Sequence, residues 1–232
     1  MINQVSKNEW DPLKKVIVGL ADFARIPDMD KSLRTVNYSH IKDDADIPKG
    51  GLYPIDVIRE ANEDLDMLAT TLMSLGVEVI RPDPLNFQTH DGMYNYCPRD
   101  RLIVYGSTIV DPAMMYPCRD MERETMWDIL QEADDVRVMP RDQGMILDAA
   151  NVLRLNDRML FLESASGNRR AYNWLCDQFP NVKIELCNFY AGVHIDSTIV
   201  PLRDGVVLLN ASRVNERNCP RVFDGWHKVY IK

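Results

Sequence analysis

The sequence predicts an α/β fold built from a repeated strand–strand–helix–strand unit. Three acids, Asp100, Asp148 and Asp196, recur at equal spacing along the chain. Each is followed by an apolar strand-like run, a tight turn and a second such run. A repeat of this size closes into a ring or propeller, or stacks as a solenoid, and it can point the three carboxylates into one shared cavity. An ordinary α/β sandwich with coincidental spacing is the alternative.

The first module is predicted over residues 12–83. Residues 14–20 have the pattern of a short buried strand, and the polar residues 21–51 are expected to form a long surface excursion. Residues 54–75 are expected to form a helix, because Pro54 opens it and apolar residues recur at helical spacing. Gly76 ends that helix, and a strand follows at residues 77–80.

Three further modules are predicted over residues 100–140, 148–188 and 194–232. Their hairpin strands are expected at residues 102–105 and 108–110, 152–155 and 159–162, and 198–202 and 206–209. Their helices are expected at about 119–133, 169–179 and 213–223, and their closing strands at 136–139, 182–186 and 229–231. We therefore predict a single domain over residues 1–232 made of four such modules.

The composition is typical of a globular protein. A formal net charge of −8 argues against nucleic acid as a partner, because phosphate binding needs clustered lysine and arginine. No apolar run approaches the ~20 residues that span a bilayer, so no membrane partner is expected. The cysteines are odd in number, form no CxxC pair and follow no signal peptide, which favours a reducing, cytoplasmic location.

The acids and one histidine are the candidate functional residues. Asp148 is flanked by apolar and small residues, so we expect it to be partly buried and to need a partner. His194 and Asp196 share one face in an extended chain, with Ile195 on the other. Asp100 directly precedes a strand, and its alternative role is a strand-entry cap or an ion pair with a neighbouring arginine.

Two chemistries fit such a set of side chains. Asp and His residues can bind a divalent metal, but the chain has four histidines and no HxH or HExxH pair, so we predict no metal site. Carboxylates can instead bind a planar guanidinium through paired hydrogen bonds while His194 moves protons. A histidine held by a buried acid such as Asp148 has a fixed tautomer and a raised basicity. The sequence favours this second chemistry.

The sequence resembles amidinotransferases related to arginine:glycine amidinotransferase over essentially its whole length. The resemblance is carried, in order, by Asn8-Glu9-Trp10-Asp11-Pro12-Leu13-Lys14-Lys15-Val16-Ile17-Val18-Gly19, Glu60-Ala61-Asn62-Glu63-Asp64-Leu65-Asp66, Arg81-Pro82-Asp83-Pro84, Pro98-Arg99-Asp100, Asp148-Ala149-Ala150 and His194-Ile195-Asp196. It implies a pentein fold, a five-bladed α/β propeller of ββαβ modules around a polar central site. This agrees with the repeat found in the sequence.

The resemblance also implies a role for each candidate residue. Asp148 would orient His194, the general acid/base, while Asp100 and Asp196 would bind the donor guanidinium. Arg213 falls where the family binds the substrate carboxylate, although a surface arginine at a helix start is its alternative role. In such enzymes a cysteine thiolate attacks the guanidinium carbon of L-arginine and releases ornithine, and an acceptor amine then takes the amidino group from the covalent intermediate. No cofactor is implied.

The sequence departs from the family pattern in one respect that concerns activity. The family's nucleophilic cysteine lies in the fifth module after a glycine-rich stretch, and none of the five cysteines here occupies that position. We therefore expect four of five modules, from a truncated or split gene, with little or no activity. A homodimer, or a second chain that completes the ring, is an expected partner.

Two smaller departures concern the acceptor. The loop at residues 188–193 lacks the asparagine-containing phrase of the glycine-using enzymes, and Asn151 replaces an acid. Ornithine, lysine or an amino-sugar-like amine therefore remain possible beside glycine. A guanidine hydrolase of the arginine deiminase or dimethylarginine hydrolase type is the alternative enzyme. A non-catalytic guanidine-binding protein and a repeat scaffold for protein partners are the alternatives from other classes.

Overall fold

The computed structural model describes residues 6–28, 33–34, 37–87, 92–188 and 193–232. They divide into two units. The first unit comprises Met1–Pro12, Leu102–Met115 and Glu132–Lys232, and the second comprises Leu13–Arg101 and Tyr116–Gln131. The prediction of a single domain over residues 1–232 stays a prediction.

The second unit contains two small sheets and a long helix. Strand β1 (Lys15–Ile17) pairs in parallel with β4 (Glu78–Ile80), and β2 (Arg25–Ile26) pairs antiparallel with β3 (Gly51–Leu52). Helix α1 (Ile55–Ser74) follows Pro54 and is followed by Gly76, whose φ of 81° lies in the left-handed region that glycine adopts without strain. The predicted helix at residues 54–75 is therefore confirmed.

The predicted excursion at residues 21–51 is only partly a surface loop. Strands β2 and β3 pair near its two ends, and Leu33 is buried. The Arg34 side chain donates hydrogen bonds to the backbone oxygens of Tyr38 and Ile41, which folds the described part back on itself. Residues 29–32 and 35–36 of this segment lie outside the described residues.

Three three-stranded sheets in the first unit share one topology. Their strands are β5 (Ile103–Tyr105), β6 (Thr108–Asp111) and β7 (Asp135–Val138); β8 (Val152–Leu155), β9 (Arg158–Leu162) and β10 (Lys183–Cys187); and β11 (Ile199–Arg203), β12 (Val206–Asn210) and β13 (His227–Ile231). In each sheet the first two strands form an antiparallel hairpin, and the third pairs in parallel with the second. The predicted repeat is therefore confirmed for its last three units, and the fold is the pentein-type α/β fold.

The connections between hairpin and closing strand differ from one sheet to the next. A short helix α2 (Pro98–Arg101) precedes the first hairpin. The predicted helix at about 119–133 is a 3-10 helix (Pro117–Met126) that continues as helix α3 (Trp127–Glu132). Helix α4 (Arg169–Gln178) matches the prediction of 169–179 and is capped by the Asn168 side chain, which accepts a hydrogen bond from Ala171 N.

The predicted helix at residues 213–223 is wrong. The structure has turns there and a single 3-10 turn, Arg221–Phe223. The Asn218 side chain accepts from Asn215 N at 2.7 Å and donates to Arg213 O at 2.9 Å. Such local side-chain hydrogen bonds compete with the helical ladder, and Pro220 interrupts it further.

The central sheet, β8 to β10, is covered on both faces. Met159 and Phe161 of β9 pack in one buried cluster with residues of β6, β8 and α4, whereas Leu160 and Leu162 pack in another with residues of β11 and β12. Because successive side chains of a strand point to opposite faces, this continuous apolar run fills two cores at once. Among the described residues no helix combines the length and the apolar character that a membrane crossing requires.

Candidate active site

A buried carboxylate in contact with a histidine forms the centre of the candidate site in the first unit. Asp148 is 2% exposed. Its Oδ1 accepts a hydrogen bond from the backbone N–H of Met115 at 2.9 Å, and its Oδ2 lies 3.1 Å from Nε2 of His194. A buried carboxylate is strongly destabilising unless it is paired in this way, so both expected features of Asp148, burial and a partner, are confirmed.

The backbone around Asp148 is fixed on both sides. Its N–H donates to Ser166 O at 2.8 Å, and its carbonyl accepts from Asn151 N at 2.9 Å. It stands directly before a 3-10 turn, Ala149–Asn151, in which both alanines are fully buried. Side chains no larger than methyl groups leave space for the turn to lie against neighbouring backbone.

His194 is held by the same turn. Ile195 is fully buried in the core, and the N–H groups of Ile195 and Asp196 lie 3.2 and 3.4 Å from the carbonyl oxygen of Ala150. His194 and Asp196 are partly exposed. Ile195 is therefore buried between two partly exposed residues, but Thr198 N donates to Ile195 O and the segment is a turn instead of the extended chain that was expected.

The contact between the two side chains fixes the chemistry of the imidazole. An ionised carboxylate only accepts hydrogen bonds, so Nε2 of His194 carries the hydrogen that lies toward Asp148. In the neutral ring Nδ1 then has the lone pair that takes up a proton. The Asp148 charge stabilises the imidazolium that results, so the pair can accept and return a proton.

Asn151 holds the backbone next to the Asp148–His194 pair. It is fully buried, and its Nδ2 donates to Ser166 O at 2.8 Å and to Ser166 Oγ at 2.7 Å. Its Oδ1 is buried and has no hydrogen-bond partner among the described residues. Since Ser166 O also accepts from Asp148 N, the same carbonyl holds both Asn151 and the backbone of Asp148.

Replacing Asn151 by aspartate is expected to destabilise the protein by about 1–3 kcal/mol at neutral pH, because a carboxylate there is buried and cannot donate to the carbonyl of Ser166. The loss should be smaller at pH 5, where the new acid is protonated more easily. Chemical denaturation at both pH values measures this, with Asn181→Asp at an exposed turn position as the control. Equal loss in the two variants would contradict the role of Asn151.

Arg213 is anchored beside the turn that carries His194 and Asp196. Its Nη1 donates to Thr198 Oγ1 at 2.9 Å and lies 3.2 Å from Ser197 Oγ. The side chain is exposed. The structure therefore brings Arg213 to the residues next to Asp196, but in a turn instead of at a helix start.

Asp100 lies in the second unit, and its surroundings differ from the prediction. It is part of the short helix α2 instead of standing at the mouth of a strand, because the hairpin begins only at Ile103. Its Oδ2 accepts a hydrogen bond from Nη1 of Arg119 at 3.1 Å. Arg119 and its second partner, Glu122, were not predicted as part of any site. The prediction that the three acids face one cavity stays a prediction.

With this geometry in view, the known relatives can be compared. No protein-family model matches the sequence. The chain is 38% identical over 256 residues to inosamine-phosphate amidinotransferase 1 of Streptomyces glaucescens, an alignment that covers 96% of this chain and 73% of the relative. The chain belongs to the amidinotransferase family. The resemblance found in the sequence is therefore confirmed.

Other amidinotransferases are similar to this one. An inosamine-phosphate amidinotransferase structure from Streptomyces griseus superposes with a TM-score of 0.92 at 35% identity, covering 98% of this chain and 75% of that one. L-arginine:L-lysine amidinotransferase of Pseudomonas savastanoi pv. phaseolicola is 28% identical over 97% of this chain and 73% of its own length. A DDAH structure from Pseudomonas aeruginosa, with a TM-score of 0.69 and 13% identity over 95% of this chain and 76% of that one, shares the fold alone.

Two cysteines of this amidinotransferase lie in surroundings that disfavour a thiolate. Burial raises the pKa of Cys187 to about 12, and burial also raises the pKa of Cys219. Neither is suited to act as the nucleophile. Among the described residues no group of three or more His, Cys, Asp and Glu side chains could hold a metal ion.

The loop expected to bear on the acceptor is only partly described. Residues 189–192 of the loop at 188–193 lie outside the described residues. Met115 was missed by the sequence reasoning because its contribution is a backbone N–H, which any residue type supplies. Arg119 and Glu122 were missed because two charged residues three apart in a polar stretch have the pattern of an exposed helical pair.

Proposed function

We propose that this protein transfers the amidino group of L-arginine to the amine of an inosamine phosphate and releases ornithine. The contact between Asp148 and His194 carries the proposal, since the reaction needs a group that both gives and takes a proton. The acceptor is supported by two inosamine-phosphate amidinotransferases that are 38% and 36% identical to this chain, and by a solved structure of such an enzyme at 35% identity. The donor is supported by the resemblance to the arginine-using family.

The transfer requires two proton movements, one when ornithine leaves and one when the acceptor amine attacks. The bond between the guanidinium carbon and the nitrogen retained by ornithine breaks, and that nitrogen needs a proton, which the His194 imidazolium donates. The incoming amine forms the new carbon–nitrogen bond and loses a proton, which the neutral imidazole accepts. In the two-step route that the resemblance implies, a thiolate holds the amidino group between these events. None of the five cysteines of this sequence occupies the family's nucleophile position, so this route requires a thiolate that these 232 residues do not supply. Asp148 keeps the imidazole oriented in both steps.

The other candidate residues have binding roles in this proposal. Asp196 and Asp100 would accept hydrogen bonds from the donor guanidinium, because a carboxylate offers two acceptors to its planar fork. Arg213 would bind the carboxylate of arginine. Its anchoring on Ser197 and Thr198 supports this role, because two hydrogen bonds restrict an otherwise exposed and flexible side chain.

The acceptor is tested by supplying L-arginine together with one amine at a time to the protein expressed from its whole reading frame. We expect ornithine and a guanidinylated product with an inosamine phosphate, and at least tenfold less with the unphosphorylated inosamine, glycine or lysine. Mass spectrometry of both products measures the transfer, with His194→Asn as the inactive control.

Each other outcome of this assay has a defined meaning. Faster transfer to glycine or lysine would overturn the acceptor but not the reaction. Citrulline without a guanidinylated amine would make the protein a guanidine hydrolase. Binding of arginine with no turnover would leave a guanidine-binding protein, the alternative from the other class.

A further inference from the structure

Asp100 belongs to a buried charged cluster in the second unit, together with Arg119 and Glu122. The guanidinium of Arg119 donates through Nε to both carboxylate oxygens of Glu122, at 2.9 and 3.0 Å, and through Nη1 to Asp100 at 3.1 Å. Arg119 and Glu122 have side chains 2% exposed, whereas that of Asp100 is 13% exposed. Asp100 is therefore the member of the cluster that is closest to solvent.

Aromatic rings complete the surroundings of the cation. The Arg119 guanidinium lies 4.6 Å from the centre of the Tyr94 ring, which in turn stacks on Tyr96 with centroids 4.2 Å apart. The ring face attracts the cation, and the two rings block it from that side. Nη2 of Arg119 is buried without a hydrogen-bond partner in the described part of the chain, so Nε and Nη1 fix the orientation of the whole group.

When both acids are ionised the cluster is close to neutral, because the buried Arg101 acts on Glu122 beside Arg119. The Arg119 guanidinium contacts both carboxylates, and Glu122 takes both hydrogen bonds from Nε. Glu122 therefore offsets most of the Arg119 charge, and less of that charge remains to offset the one on Asp100. If Glu122 were neutral, the Arg119 cation would have Asp100 as its carboxylate partner, and the charge on Asp100 would be compensated from inside the protein.

We propose that the Arg119–Glu122 pair is a positioning unit that orients Asp100 and sets the negative charge that Asp100 presents to the substrate guanidinium. Arg119 fixes the carboxylate by a charge-assisted hydrogen bond, and Glu122 prevents Arg119 from neutralising it. Neither residue touches the substrate. This inference rests on the proposed function, because it assumes that Asp100 binds the donor guanidinium.

The protonation of Glu122 makes this control sensitive to pH. Burial raises the pKa of Glu122 to about 7, against the lowering effect of Arg119. The titratable and charged groups that act on it come from three segments and comprise Arg119, Asp100, Arg101, Tyr94 and Tyr96. Burial also raises the pKa of both tyrosines, so they stay neutral in this range. Below pH 7 protonation of Glu122 therefore makes the cluster more positive by one charge, and more of the Arg119 charge acts on Asp100.

Calorimetric titration of the whole protein with L-arginine tests the proposal. We expect Glu122→Gln to raise the dissociation constant at pH 8 about tenfold, since it mimics the protonated acid. We expect Arg119→Lys to raise the dissociation constant as well, because an ammonium cannot hold both carboxylates in one plane.

In the wild type, the affinity for L-arginine should fall between pH 8 and 6. Glu122→Gln should lack the part of this fall that comes from protonation of Glu122. Glu124→Gln, which removes the partner of Arg123 on the same helix, is the matched control and should behave as wild type.

A third variant separates this proposal from the proposed function. Asp100→Asn should abolish measurable arginine binding. If it binds arginine as tightly as wild type, the assigned role of Asp100 is wrong and the proposed function fails in that respect. If Asp100→Asn loses binding while Glu122→Gln binds as wild type with the same pH profile, Asp100 is a ligand and the positioning unit is refuted.

Discussion

Asp148→Asn is expected to lower the turnover of the amidinotransferase reaction by about 10²–10⁴-fold. The asparagine has nearly the shape of the acid, but it carries no charge to stabilise the His194 imidazolium. Its amide can also present an N–H toward Nε2, which would favour the opposite tautomer of the ring. The loss should appear in kcat, because Asp148 contacts the histidine and has no predicted contact with the arginine.

Steady-state kinetics of the protein expressed from its whole reading frame, with ornithine as the measured product, test this expectation. Asp142→Asn removes an exposed acid from a nearby turn and should leave kcat within twofold of wild type. Circular dichroism and thermal melting must show that Asp148→Asn is folded. A folded variant with wild-type kcat would refute the assigned role of the Asp148–His194 pair.

Arg119→Met is expected to destabilise the protein by about 3–5 kcal/mol at pH 8. It removes the cation from between two acids and leaves the buried Glu122 carboxylate without its ion-pair partner, so that only the weaker attraction of Arg101 remains. The pKa of Glu122 in the folded protein is already raised above that of the unfolded chain, because burial opposes ionisation. Between the two pKa values the folded state binds more protons than the unfolded state, so stability falls as pH rises through that window.

The pH dependence of unfolding distinguishes this mechanism from a simple loss of packing. Without Arg119 the pKa of Glu122 should rise further, so the destabilisation should be larger at pH 8 than at pH 5.5. Arg119→Met combined with Glu122→Leu should recover much of the lost stability, because an apolar pair needs no counter-ions. Arg123→Met, at a half-exposed ion pair on the same helix, should cost less than 1 kcal/mol. Equal destabilisation at both pH values would show that the charge of Glu122 is not involved.

Regular patterns made much of the fold predictable. The alternation of apolar runs, turns and helical spacing indicated all three hairpin sheets and helix α1, because each of these elements repeats a pattern over several residues. The burial of Asp148 was predictable for a related reason, since its neighbours in sequence are apolar or small. The helix predicted at residues 213–223 was wrong because the hydrogen bonds of Asn218 with the local backbone outweighed a short periodic pattern.

Contacts between distant segments were not predictable. Arg119 and Asp100 are 19 residues apart, and nothing in either phrase indicates the other. The position of Asp100 in a helical turn depends on where the following strand begins, and strand ends are weakly defined by sequence. The Met115 N–H that binds Asp148 is invisible in a sequence for a simpler reason, because every residue except proline has one.

The covering of the central sheet on both faces has a consequence for the chain before it folds. Residues 159–162 are uniformly apolar because they fill two cores, and in a newly made chain the same stretch is an exposed segment suited to intermolecular β-aggregation. Arg158 and Glu163 flank it, and in the folded protein each makes an ion pair that is at least partly exposed, with Glu185 and Arg169. Such pairs add little to the folded state. We expect their larger contribution in the unfolded chain, where charges that flank an apolar stretch oppose its association with other chains.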